Sequence, residues 1–145
     1  MKKVLLASLL ILAFCLSLAA CGGAEESAAV NLNTVDGVLA LHGFSEQDLL
    51  LGAQDSIELD KDGDLTIHSA ASFEEVSKAV YDACAKAADD GIVRDYISEA
   101  PIEYAFQETM LFFGYYRGET FEFAMISPIW ADQETGITDY LLQWS

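Results

Sequence analysis

Residues 58–65, Glu-Leu-Asp-Lys-Asp-Gly-Asp-Leu, hold the densest set of hard oxygen donors in the chain. Counted from Glu58, Asp60, Asp62 and Asp64 fall at every second position with Gly63 between the last two, which is the alternation of a calcium-binding loop. The carboxylate needed at the twelfth position is replaced by Ser69, and calcium asks for six to eight oxygens. A solvated hairpin turn is therefore expected at Asp60, Asp62 and Asp64. The two histidines, His42 and His68, make no zinc-type spacing with each other or with Cys84. Cys84 lies among alanines on an apolar helical stripe, where a thiol serves as a small core residue. No Gly-x-Ser-x-Gly elbow, phosphate loop or dinucleotide fingerprint occurs, and no cofactor is expected. The 24 acidic residues make close carboxylate pairs by chance, so hydrolysis by two carboxylates stays open only as an alternative.

The remaining chemistry is at the start of the chain. Met1-Lys2-Lys3 is a basic opening, Val4 to Leu18 is an apolar run shorter than the roughly 20 residues of a spanning helix, and Leu18-Ala19-Ala20-Cys21 closes it. This segment resembles the signal of bacterial lipoproteins, in which an apolar residue and two small ones precede a cysteine. The resemblance covers residues 1–21. It implies a cleaved signal peptide over 1–20, diacylglyceryl on the Cys21 sulfur, acylation of the new amino group, and attachment to the cell membrane facing away from the cytoplasm. Two chains make such an attachment stable where one leaves it marginal. Residues 21–33 read as a lipidated tether, small and polar with Gly22-Gly23 at its start. Residues 34–145 are the length of one extracytoplasmic domain.

Composition narrows the partners of that domain. Cleavage would remove Lys2 and Lys3 from seven basic residues and none of the 24 acidic ones, deepening a net charge already at −17. Such a surface repels phosphate backbones, so nucleic acid is not expected as a partner. Cys15 leaves with the signal and Cys21 carries lipid, so no intrachain disulfide is possible and an ordinary core must hold the fold.

The elements expected to build that core are α+β. Thr34 and Ser45 each open a short helical turn within 34–52. Ile57-Glu58-Leu59 and Leu65-Thr66-Ile67 flank the acidic turn as a hairpin. Helix 73–90 starts at the capping pair Ser72 and Glu75, ends at Gly91, and carries Phe73, Val76, Val80, Ala83, Cys84 and Ala87 on one stripe. An antiparallel meander follows: Ile102, Tyr104 and Phe106, then strands near 109–115 and 119–127, then 137–144, with Pro101 and Pro128 at strand ends. About five or six strands, including the early hairpin, should pack one face against the long helix.

Eleven of the sixteen aromatic residues lie between Tyr104 and Trp144, and two hairpin registers are open. A two-residue loop at Arg117-Gly118 sets Phe112 opposite Phe123; a bulged loop at Tyr116-Arg117-Gly118 joins Leu111 and Phe113 to it. Phe121, Phe123 and Met125 are expected beneath the helix in either case. Leu111, Phe113 and Tyr115 then form a speculative ligand-binding set on the far face, unless segment 34–52 covers it as a second layer. The expected function is a non-enzymatic, lipid-anchored binding or accessory module of the cell envelope, taking a protein or small-molecule ligand. A small envelope hydrolase and an assembly partner of a larger membrane complex are the alternatives.

Overall fold

The computed structural model describes residues 30–98 and 110–145. The elements run α1 (Val35–Leu41), α2 (Glu46–Leu49), β1 (Ser56–Leu59), β2 (Leu65–Ser69), α3 (Phe73–Ala87), β3 (Arg94–Ser98), β4 (Met110–Arg117), β5 (Thr120–Ala131) and β6 (Thr138–Trp144). The strands form one antiparallel sheet in the order β1-β2-β6-β5-β4-β3. The architecture is α+β, with the meander β3 to β6 extended at its far edge by the early hairpin.

Local chemistry sets the helices. The Thr34 hydroxyl accepts from the Gly37 N–H, and Ser45 and Asp48 cap α2 reciprocally. Ser72 and Glu75 do the same for α3, which buries Val76, Val80, Ala83 and Cys84. That helix stops at Ala87, short of the expected residue 90. Asp89 and Asp90 would place negative charge at the negative end of the helix dipole. Asp89 instead takes the Gly118 N–H on its carboxylate and gives its own N–H to the Tyr116 carbonyl, pinning the helix exit to the β4–β5 turn.

Helices α1, α2 and α3 all cover the same sheet face. The core joins Val38, Leu39, Phe44 and Leu49 to Val76 and Val80, above Leu65, Ile67, Phe113, Ile126 and Leu142. The face of β4 and β5 that the helices cover is the opposite of the one expected. Arg117 pairs with Thr120, so the loop is Gly118-Glu119, and Phe123 lies opposite Gly114 rather than Phe112 or Leu111. Gly118 takes φ +62° at the first loop position, where a II′ turn places glycine. Phe113 therefore lies opposite Ala124 and Tyr115 opposite Glu122, beneath the helices. Phe121, Phe123 and Met125 lie on the opposite face, half-buried or exposed, not under α3. The pattern misled because Glu122 reads as a solvent-facing residue, whereas it is buried.

Two further expectations change. Pro128 is inside β5, paired with Tyr140 at the register shift before Trp130; a residue without an N–H is tolerated at such an irregularity. The edge strand β3 occupies Arg94–Ser98, which was not expected as a strand. The strand expected through Ile102, Tyr104 and Phe106, like Pro101, lies outside the described residues. So do the signal segment and Cys21.

Candidate functional site

Three places in the fold gather polar or apolar side chains that chemistry could use. The first is around Glu122, on β5. Its Oε1 accepts from Arg117 Nε at 3.1 Å and Nη2 at 2.6 Å, and its Oε2 from the Tyr115 hydroxyl at 3.0 Å and His42 Nδ1 at 3.1 Å. Arg117 Nη1 also donates to the Leu41 carbonyl, at the end of α1. The His42 ring stacks on Trp144 with centroids 4.3 Å apart, and Phe44 meets the same indole edge-on. Burial holds the His42 imidazole below its ordinary pKa, against the pull of Glu122. For Glu122, burial pushes the carboxyl up, but the hydrogen bonds from His42, Arg117 and Tyr115 outweigh it and leave it below the usual value. Burial raises the Tyr115 phenol strongly, so it stays protonated and donates. Both carboxylate oxygens are thus occupied from within. The arrangement ties α1 to the sheet and offers no lone pair to a substrate. Nothing in a local sequence pattern marks it, since His42 and Glu122 are brought together from distant segments.

The second place is on the open face of the sheet. Ser56, His68 and Asp139 sit opposite one another on β1, β2 and β6. His68 Nδ1 is 2.7 Å from Asp139 Oδ1, and its Nε2 is 3.7 Å from Glu58. No hydrogen bond joins Ser56 to the ring, so a base oriented by a carboxylate is present without an engaged nucleophile.

The third is a pair of grooves flanking α3. The larger, about 860 Å³, includes Asp48, Asp55, Ser69, Lys78 and Lys86. Its charges are matched internally: Lys86 binds Asp48 at 2.9 Å, Lys78 binds Asp82, and Asp55 accepts from Ser69 Oγ and the Leu51 and Gly52 N–H groups. The smaller, about 400 Å³, runs between α3 and β4 over Phe73, Ser77, Tyr81, Leu111 and Phe113. It is built by helical spacing from one side and strand alternation from the other: residues 73, 77 and 81 share a helix face, and 111 and 113 share a sheet face. Tyr81 meets Phe113 edge-on at 5.8 Å. The Ser77 residue is only 5% exposed, and its hydroxyl has no hydrogen-bond partner.

Of the residues singled out in the sequence, Leu111 and Phe113 therefore line a groove together. Tyr115 does not join them; it is buried against Glu122. Sequence reasoning missed Phe73, Ser77 and Tyr81 as their partners, having read Phe73 only as core. Asp60, Asp62 and Asp64 do not converge. Asp60 Oδ1 accepts from the Asp62 and Asp64 N–H groups, and Asp64 accepts from Gln143. Those backbone bonds lower the Asp60 pKa. Among the described residues no group of three His, Cys, Asp or Glu is placed to hold a metal ion. Cys84 is fully buried in the core. Among the described residues no helix is long and apolar enough to cross a membrane. The chain matches no protein-family model, no curated protein and no solved structure.

Proposed function

We propose that the chain is a lipid-anchored binding module of the bacterial cell envelope, held to the membrane through Cys21 and facing away from the cytoplasm. The observation that carries this reading is Leu18-Ala19-Ala20-Cys21 closing a short apolar run with a basic start. The small, polar sequence after Cys21, with Gly22-Gly23 at its start, suits a tether between lipid and fold. The acidic surface, at net charge −17, supports a domain that stands off anionic headgroups. The groove between α3 and β4 is the ligand site that the geometry favours, because it is apolar and lies within the usual size range of binding pockets.

Mass spectrometry of the native protein tests the anchor. The expected result is an N-terminal peptide starting at Cys21 and carrying diacylglyceryl, with Cys21→Ser losing that mass and accumulating as uncleaved precursor. An unmodified Cys21 in protein recovered from membranes overturns the proposal.

A further inference from the structure

We draw no further inference here: the strongest candidate, the side-chain cluster of Ser56, His68 and Asp139 across β1, β2 and β6, carries nothing beyond the geometry already described, since no hydrogen bond joins Ser56 to the imidazole, whose Nε2 is closed to solvent.

Discussion

A carboxylate shut away from water needs donors from every side, and Glu122 draws them from His42 at the end of α1 and from Tyr115 and Arg117 on β4. Removing it would leave the Arg117 guanidinium and the Tyr115 hydroxyl short of a partner beside the core. Glu122→Ala is therefore expected to lower unfolding free energy by about 3 kcal/mol in a urea titration. The same cluster gives a pH dependence with a defined sign. His42 has its pKa lowered in the fold from an ordinary 6.5, so the unfolded chain binds more protons as pH falls through that value. Stability is then full above pH 6.5 and declines below it. Glu122, lowered from 4.5, adds a second decline as pH drops through its depressed value. His42→Gln should flatten the upper stage and leave the lower one, which urea midpoints measured from about pH 2 to about pH 8 would resolve. Cys21 could be proposed from the sequence because everything that marks it lies within one short segment. Glu122 could not, because its partners come from chain far away and its charge alone argues for solvent.

At the scale of elements, capping chemistry and helical periodicity were readable, and register was not. Thr34, Ser45 and Ser72 start helices where hydroxyl-and-acid pairs predict them, and the hairpin β1–β2 follows from its alternation. Strand β4 is apolar on both faces, so period-two reasoning could not choose its inner side. The loop at Gly118-Glu119 leaves Leu111, Phe113 and Tyr115 on the face of Glu122, Ala124 and Ile126, as a loop at Arg117-Gly118 would; what differs is that the helices cover this face. The outcome is measurable by two truncations. Phe113→Ala, at 3% exposure, is expected to cost about 3–5 kcal/mol. Phe123→Ala, half-buried on the open face, should cost about 1 kcal/mol and certainly less than Phe113→Ala in the same denaturant series. Equal losses would return Phe123 to the core. Strand β3 escaped notice because Arg94-Asp95 open it with charges, and the aromatic alternation further on drew the assignment away.

For the whole molecule, a net charge of −17 on 145 residues makes self-repulsion a general load on the compact state. Raising ionic strength from 10 to 150 mM shortens the Debye length from about 30 to about 8 Å. The melting temperature should therefore rise with salt, and scanning calorimetry in sodium chloride would show it; a fall would mean that the pairs Lys86–Asp48 and Arg117–Glu122 outweigh the repulsion. The order of the strands has its own consequence. Because β6 is wedged between β2 and β5, Leu65 meets Leu142 as a neighbour across nearly the whole domain. A chain emerging N-terminus first must keep its opening hairpin waiting until residue 142 arrives, so assembly is a late, concerted closure rather than stepwise growth. Until that moment β2 and β5 lack the strand that joins them, which makes the interval before closure the period in which this protein most needs a chaperone.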